Sequence, residues 1–528
     1  MSTQAREILF DEMARAKLRD GIGQVADVVE VTLGPSGCNV CMDAWQPMVT
    51  KDGNTIVKEL ELKDQFENMG ASLAKEVAAK VREQCGDGTT TAILLLRALV
   101  DHGVKYVASG ASPIALKRGL DKATEAVVAE LSKMSIPVKS EAELAQIATV
   151  SAAGNREIGQ LIAQAFTKVG REGVITIEES KTMETAIELV EGMQFERGYL
   201  SPYFCTNVEA MSCELQQPAI LLVDQKIGSI QDLIPLLQTV AALGRELLIV
   251  AEDLDADVLS TLVVNRLRGH LKVAAIKAPG FGDRRKAMMQ DLAVLTGATL
   301  VTEDAGMVLR AVSMEALGTA ARVVITKDKT TLVDGGGSKE AIAARVRQLE
   351  GEIELTTNQY DREKLEERKA KLSGGVAVIR VSAATEAEMK QRKQAFQDSL
   401  NSTRAALEEG VVAGGGCALL RASAVIAGLP LQGDEALGGQ IIRRACELPF
   451  KQIVRNSGQD PSVRLNEVLS MPAQFGFNAL SEMIEDLVAA GVLDAVKVEK
   501  VCLIVATSSA GVVLLSEALI GDAPEETA

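Results

Sequence analysis

The hydrophobic period changes twice along this chain, and that change constrains the fold more than any other feature. Apolar side chains recur at helical spacing in segments 5–33, 66–82, 89–109 and 114–134. Short apolar strands then alternate with helical segments, and the residues after Cys417 are again mostly helical. We therefore predict a helical domain formed by both chain ends, with an α/β domain inserted in the middle.

The middle of the chain has the pattern of an α/β domain. Strand-like runs are predicted at 173–177, 219–223, 247–250, 271–276 and 376–381, and helices at 229–243, 255–267 and 283–296. This alternation is typical of parallel strands that are buried on both faces. The charge-rich segment 338–372 predicts a solvated helical hairpin. Glycine clusters where the chain passes between domains predict hinges.

Composition excludes several classes of function. A chain of 528 residues is too long for one compact core, so we expect two to four domains. The net charge of −16 argues against a nucleic-acid coat, which needs a basic surface. His102 and His270 are the only histidines and lie far apart, which excludes a His-rich metal centre. A GxxxxGK[ST] motif is absent, which excludes a Walker-type phosphate loop.

Cysteine usage and the chain start favour a cytoplasmic protein. The eight cysteines are scattered and the first residues carry no signal peptide, so we expect reduced thiols. Cys38 and Cys41 form a CxxC without a second pair, in a strand-like run that would point the two sulfurs to opposite faces. The apolar segment 501–520 is expected to be a buried helix of a large soluble domain, with no membrane partner.

One glycine-rich turn has the features of a phosphate site. Gly86-Asp87-Gly88-Thr89-Thr90-Thr91 precedes a long apolar helix, whose N-terminal N–H groups favour an anion. Glycine lets the backbone approach a ligand closely, and Asp87 suits a magnesium ion that bridges to phosphate. The alternative is that Asp87 or Thr89 simply caps the helix, and the residues alone leave both interpretations open.

Two further turns bracket the first predicted strand pair. They are Thr32-Leu33-Gly34-Pro35 and Thr50-Lys51-Asp52-Gly53, and Asp52-Gly53 also fits an ordinary hairpin turn. Asp398 lies on a helix predicted from 386 to 407, where the sequence alone indicates an exposed acid.

Aromatic residues are concentrated in one short segment. Phe195, Tyr199, Tyr203 and Phe204 fall within ten residues, although the whole chain has 15 aromatics. The two helices that follow are apolar nearly all round, and only one face of each can cover a sheet. The second apolar face is explained either by burial against another domain or by an open, non-specific hydrophobic binding surface.

Several long motifs resemble those of group I chaperonins of the GroEL type, over residues 5–520. They include VTLGP, TKDG, ENMGA, GDGTTTA, VEGMQFERGYLSPYF, KAPGFGDRRKAM and EEGVVAGGG, in that order. The resemblance implies a multi-domain α and α/β fold. Its mainly helical equatorial ATPase domain would span 1–134 and 409–528, a small intermediate hinge domain 135–190 and 375–408, and an α/β apical domain 191–374.

The resemblance also implies an ATP site. Asp398 would position and activate the attacking water, Asp52 would assist, and Asp87 would ligate Mg²⁺, with K⁺ as a further candidate cofactor. Gly415, Asn478, Ala479 and Asp494 would hold the base and ribose. The implied nucleotide-binding residues are Thr32, Leu33, Gly34, Pro35, Lys51, Gly53, Asp87, Gly88, Thr89, Thr90, Thr91, Gly415, Asn478, Ala479 and Asp494.

For the middle domain, the resemblance implies capture of unfolded client proteins and of a co-chaperonin of the GroES type. The chain would assemble as seven-membered rings stacked in pairs and enclose the client under the control of ATP. The implied client-binding residues are Tyr199, Tyr203, Phe204, Ile234, Leu237, Leu259, Val263 and Val264.

Departures from the family pattern support a second hypothesis. Ser36-Gly37-Cys38 replaces a usually basic segment, the following loop is about two residues shorter, and Asn155 and Ala395 replace a charged pair. These changes leave the three carboxylates in place but alter the hinge pair and the loop that would contact the neighbouring subunit. The alternative is therefore a diverged paralogue that acts as a holdase or assembly scaffold with weak ATP cycling. A third idea is that Cys38 and Cys41 make assembly redox-sensitive.

Overall fold

The computed structural model describes residues 6–43, 48–138, 140–152, 154–170, 173–180, 184–207, 211–302, 306–356, 358–373 and 375–522. The chain divides into two compact units. Unit 1 comprises Met1–Gln164 and Ala383–Ala528, and unit 2 comprises Ala165–Ser382. The middle of the chain is therefore one insertion into a unit that both ends build. The finer division into three domains stays a prediction.

The described residues include helices in both units. In chain order they are α1 (Asp11–Glu30), α2 (Gly53–Glu59), α3 (Gln65–Cys85), α4 (Thr89–Ala108), α5 (Pro113–Met134), α6 (Glu141–Ser151), α7 (Arg156–Val169), α8 (Ile234–Ala242), α9 (Ala256–Leu267), α10 (Gly282–Thr296), α11 (Lys339–Leu355), α12 (Gln359–Ser373), α13 (Glu386–Glu409), α14 (Cys417–Ala422), α15 (Asp434–Cys446), α16 (Leu448–Asn456), α17 (Pro461–Leu469) and α18 (Val496–Leu515).

The strands form one large sheet in unit 2 and several small ones. In chain order they are β1 (Arg6–Phe10), β2 (Val40–Met42), β3 (Met48–Thr50), β4 (Val174–Glu179), β5 (Ala186–Val190), β6 (Gly192–Phe195), β7 (Cys213–Gln216), β8 (Ala219–Ile227), β9 (Leu247–Leu254), β10 (Val273–Lys277), β11 (Gly318–Ile325), β12 (Thr330–Gly335), β13 (Val376–Val381), β14 (Val411–Ala413), β15 (Phe475–Asn478), β16 (Met483–Asp486), β17 (Leu493–Ala495) and β18 (Ala518–Asp522).

The core of unit 1 is built around the apolar helix α18. This helix is long and apolar enough to cross a membrane by length and composition, but 61% of its most apolar window is buried inside the protein. It packs against α3, α4 and α5, while α1 packs against α3 and α4. Burial against apolar helices explains its composition, as the sequence predicts.

The two chain ends depart from the predicted helices. The segment predicted as helix from residue 5 begins with β1, and the apolar segment predicted as helix to residue 520 ends its helix at Leu515. β1 and β18 pair in antiparallel register, with Ile8 opposite Ile520. A pairing between residues more than 500 positions apart leaves no signal in a local hydrophobic pattern, so these two predictions were wrong at their ends.

Unit 2 contains a mixed sheet with the strand order β10-β9-β8-β11-β12-β6. β8, β9 and β10 are parallel, and the first five residues of β8 are all buried, as predicted for strands covered on both faces. β11 joins them in antiparallel register, so the sheet is only partly parallel. A separate sheet of β4, β13 and β5 also belongs to this unit, as do helices α8 to α10. Helices α11 and α12 pack as a pair, which confirms the predicted helical hairpin.

Candidate functional site

Three carboxylates from separate elements of unit 1 converge. Asp52 precedes α2, Asp87 lies in the turn before α4, and Asp398 lies in the middle of α13. Burial and the neighbouring Asp52 raise the pKa of Asp398 to about 8, and Asp87 adds to this shift. The Arg82 guanidinium lies 3.9 Å from Asp398 Oδ1. Asp398, with a side chain only 21% exposed, is therefore not the ordinary exposed acid that the sequence alone indicates.

Asp52 is positioned by the start of α2. Its Oδ2 accepts the backbone N–H of Thr55 at 2.9 Å and also the Thr55 hydroxyl, which caps the helix. The pair β2–β3 is already closed upstream, since Met42 lies opposite Met48. Asp52-Gly53 is thus a helix start, and the alternative of a hairpin turn is wrong.

The turn before α4 leaves the N-terminus of that helix open. Gly88 is the residue before the helix, with φ of +89°, and no side chain caps the helix. Asp87 Oδ1 instead accepts the adjacent Gly88 N–H at 2.6 Å. Capping by Asp87 or Thr89 is therefore excluded. The first N–H groups of a helix have no partner within it, so those of 89–91 are available to an anion.

Two glycines allow this turn and the Asp52 loop to approach each other. A Cβ atom on Gly53 would lie 2.4 Å from Thr90 Oγ1, and one on Gly88 would lie 2.5 Å from Cys502 Sγ. Neither position has room for a side chain. The sequence Thr50–Gly53 is therefore held directly against the first turn of α4, where the predicted phosphate contacts lie.

The Asp87 side chain is half-buried, and this burial raises its pKa, with Asp52 adding to the effect. The Gly88 N–H and the Ser151 side chain act in the opposite direction. Among the described residues, no group of three His, Cys, Asp or Glu side chains is placed to hold a metal ion. Mg²⁺ usually takes one or two carboxylates and completes its shell with water and phosphate oxygens. Asp87 beside an open helix N-terminus fits that mode of binding.

The predicted base and ribose residues lie at the same place. Asp494, in β17, accepts the backbone N–H groups of Gly415 and Gly416. Burial raises the pKa of Asp494 to about 6, with Asp87 as the next contribution, which shows that the two acids are neighbours. The Ser36 hydroxyl donates to the carbonyl of Ala479 at 3.5 Å, which brings the turn at 32–35 close to Ala479.

Some predicted nucleotide residues have partners within the protein. The Asn478 amide donates to Glu485 Oε1 at 2.7 Å, and the Thr32 hydroxyl donates to the Val29 carbonyl at 2.8 Å. The Leu33 carbonyl accepts the Asn456 amide at 2.9 Å. Lys51 is exposed. These contacts fix the walls of the site, while the backbone N–H groups of 89–91 supply its open donors.

Sequence reasoning missed several residues that shape the site. Gln394 donates to Asp398 Oδ1 at 2.6 Å from one helical turn earlier, and Arg82 faces the same carboxylate. The i, i+4 spacing of Gln394 was the only available signal. Ser151 and Glu499 carry no signal in the sequence, because their contacts depend on how distant helices pack.

The unusual pKa of Asp398 gives a prediction for stability. We expect Asp398→Asn to stabilise the nucleotide-free protein, by an amount that grows as pH rises from about 4 to 8. The folded state keeps a proton on Asp398 in this range that the unfolded state has released, so stability of the natural chain falls with pH there. The gain should be on the order of 5 kcal/mol at pH 8, since the pKa rises by about four units from its usual value and each unit corresponds to about 1.4 kcal/mol.

Thermal unfolding of both chains at pH 5, 6, 7 and 8 without nucleotide measures this effect. The difference in unfolding temperature should widen with pH. An equal difference at every pH would show that the Asp398 proton is not the cause.

The predicted client-binding residues of unit 2 fall into two groups. Tyr203 and Val264 are 63% and 43% exposed, and Leu267, which the sequence did not single out, is 63% exposed. The Arg266 guanidinium donates to the Phe204 carbonyl at 2.6 Å, which fixes the turn at 202–204 against α9. These exposed side chains, Tyr203, Val264 and Leu267, form what we call the apolar edge.

The second group is less exposed than the apolar edge. Phe204 is fully buried, Leu237 and Val263 are 8% and 9% exposed, and Tyr199, Ile234 and Leu259 are half-buried. Phe204 packs in the core of unit 2 and does not reach a ligand in this conformation. It acts as a support for Tyr203, which the same short turn presents to solvent.

Unit 1 brings three carboxylates to an open helix N-terminus, and unit 2 carries a partly exposed apolar edge. These are the features expected of an ATPase that handles apolar protein surface and is built from mixed helical and α/β units. The chain belongs to the TCP-1/cpn60 chaperonin family, whose model matches residues 25–524. It is also 60% identical over 523 residues to a protein named Chaperonin GroEL 3 from Protochlamydia amoebophila (strain UWE25), covering 99% of this chain and 98% of that protein.

These similarities confirm the resemblance to group I chaperonins of the GroEL type. The chain is an ATP-dependent chaperonin and hence an ATPase. The alternative of a holdase with weak ATP cycling is not favoured. Membership of this family also implies unfolded client proteins and assembly into oligomeric rings.

Proposed function

We propose that this chaperonin captures unfolded proteins on the apolar edge of unit 2 and encloses them in a ring cavity for folding. The ring would have seven members, stack in pairs and accept a co-chaperonin of the GroES type, in the cytoplasm. The proposed domains are equatorial (1–134 and 409–528), intermediate (135–190 and 375–408) and apical (191–374). The observation on which this proposal depends most is the convergence of Asp52, Asp87 and Asp398 at the open N-terminus of α4.

We propose a distinct role for each carboxylate. Asp87 would hold Mg²⁺ together with phosphate oxygens, and the N–H groups at 89–91 would hold the phosphates themselves. Asp398 would orient the attacking water and accept its proton, with Asp52 assisting. Phosphoryl transfer depends mainly on positioning and on neutralising charge, and these residues supply both. Gly415, Asn478, Ala479 and Asp494 would hold the base and ribose.

The charge balance of the cluster supports a bound divalent cation. Three acids approach one another, two of them with a raised pKa, and Arg82 lies at the outer limit of an ion pair. Such a cluster has excess negative charge in a buried place, which Mg²⁺ would offset and so allow Asp398 to ionise. A nucleotide with its metal would thus turn Asp398 from a neutral acid into a usable base.

Capture and release of a chemically denatured client tests the proposal. We expect the purified chain to prevent client aggregation without nucleotide, and to release the client for folding when ATP, Mg²⁺ and a co-chaperonin are added. Nonhydrolysable ATP serves as the matched control. Equal client binding whatever nucleotide is present would reject the folding cycle and favour a holdase.

A further inference from the structure

A second buried acid lies next to the proposed ribose contact. Glu499 is in the first turn of α18, five residues after Asp494, and is 6% exposed. Its side chain forms a hydrogen bond with the carboxyl of Asp494. Its Oε2 atom is buried and has no hydrogen-bond partner among the described residues. A buried acid in this position needs an explanation, because an unpaired buried charge is strongly destabilising.

Asp494 is held from the opposite side by the backbone. The N–H groups of Gly415 and Gly416, both with positive φ, donate to its carboxylate. Gly414 packs closely against this carboxylate, since a Cβ atom there would lie only 3.0 Å from Asp494 Oδ1. The glycine turn and Glu499 together therefore fix the orientation of the Asp494 carboxylate.

The surroundings determine which of the two acids keeps a proton. Two buried carboxyl groups in contact do not both ionise. Burial and Asp494 raise the pKa of Glu499 well above its usual value, whereas the hydrogen bond from Glu499 and the two glycine N–H groups oppose the rise for Asp494. The neutral member of the pair is thus Glu499, which donates to an ionised Asp494.

The other groups that act on this pair do not change that assignment. Asp87 is a further acid, and its charge disfavours a second charge at Glu499. Among the described residues, the buried thiols of Cys417, Cys446 and Cys502 also face this pair, and burial raises the pKa of each. Neutral thiols do not stabilise a carboxylate at Glu499.

We propose that Glu499 is a positioning residue that hydrogen-bonds to Asp494 and holds its carboxylate oriented to accept a hydroxyl of the nucleotide ribose. The inference rests on the proposed placement of the ribose at Asp494. A hydroxyl that donates to a carboxylate forms a stronger hydrogen bond than one that donates to a neutral group. The pair therefore selects nucleotides that carry free ribose hydroxyls.

Sugar discrimination tests this role. We expect the natural chain to bind ATP about tenfold more tightly than 2′,3′-dideoxy-ATP, the usual contribution of a hydrogen bond to a charged group. Glu499→Leu removes the donor to Asp494, and should weaken ATP binding while leaving dideoxy-ATP binding unchanged. Glu499→Gln keeps an N–H donor and should retain the preference. In turnover, the Leu variant should raise KM for ATP and leave kcat unchanged.

The measurement is calorimetric titration of each chain with both nucleotides in Mg²⁺. Glu125→Leu, at an exposed acid of α5, is the matched control. If the Leu variant does not fold, Glu499→Met repeats the test with a side chain closer in shape. Equal weakening of both nucleotides, or an unchanged preference, would overturn the role of Glu499. A folded natural chain that binds neither nucleotide would instead refute the proposed nucleotide site.

Discussion

Asp398→Ala should lower ATP turnover by at least about 100-fold, the usual contribution of a positioned general base, while ATP binding is retained. The residues that would hold the phosphates and Mg²⁺ lie on another element, at 87–91, so the substitution leaves them in place. It also removes one acid from a crowded cluster, which favours rather than opposes binding of an anionic triphosphate.

Release of inorganic phosphate measures turnover, and calorimetry with MgATP measures binding. Glu388→Ala is a suitable control, because it removes an exposed acid from the first turn of the same helix. The control should leave both quantities unchanged. Full turnover in Asp398→Ala would exclude Asp398 from the chemistry, and a parallel loss of binding would assign it to ATP affinity instead.

The fold was predictable where local pattern determines it. Helices α3, α4 and α5 and strands β8 to β10 begin and end within a few residues of their predicted positions, because amphipathic spacing and buried apolar runs are properties of short segments. The pairing of β1 with β18 and the antiparallel β11 are set by contacts between distant parts of the chain. Local periodicity contains no information about such contacts.

The candidate site likewise has one part that the sequence predicts and another that depends on packing between distant elements. The glycines and threonines at 86–91 predict an anion site, because the residue types that indicate it lie in one short segment. The environment of Asp398 is not local, since α13 must pack beside Asp52 and Asp87 before burial and like charge raise its pKa. Glu499 was missed for the same reason: only the packing of α18 against β17 and the glycine turn brings it to Asp494.

Burial also changes which of the predicted client-binding residues can be tested by substitution. Leu237→Glu, which the sequence suggests as a test of client binding, places a charge at a side chain that is 8% exposed. An unpaired buried charge would destabilise unit 2 and abolish capture for a trivial reason. Tyr203 and Val264 avoid this difficulty, because their side chains are already in solvent.

Tyr203→Glu should weaken capture of a denatured client by roughly thirtyfold, which corresponds to about 2 kcal/mol for loss of an aromatic anchor. ATP turnover should persist, because Tyr203 belongs to unit 2 and the carboxylates belong to unit 1. Val264→Glu should have the same effect, since it brings a charge to the same apolar edge. Different clients share little except exposed apolar surface. They therefore supply no common positive charge that would compensate for the new carboxylate.

The measurement is binding of a fluorescently labelled, chemically denatured client in the absence of nucleotide. Tyr360→Glu is the matched control: it changes another exposed tyrosine of unit 2, whose ring lies 4.6 Å from the Arg284 guanidinium, where the new carboxylate meets a cation. The control should bind the client normally. Normal capture by Tyr203→Glu and Val264→Glu, with folded structure intact, would place the client surface elsewhere. Loss of capture in all three variants would mean that added negative charge on unit 2, and not the apolar edge, governs binding.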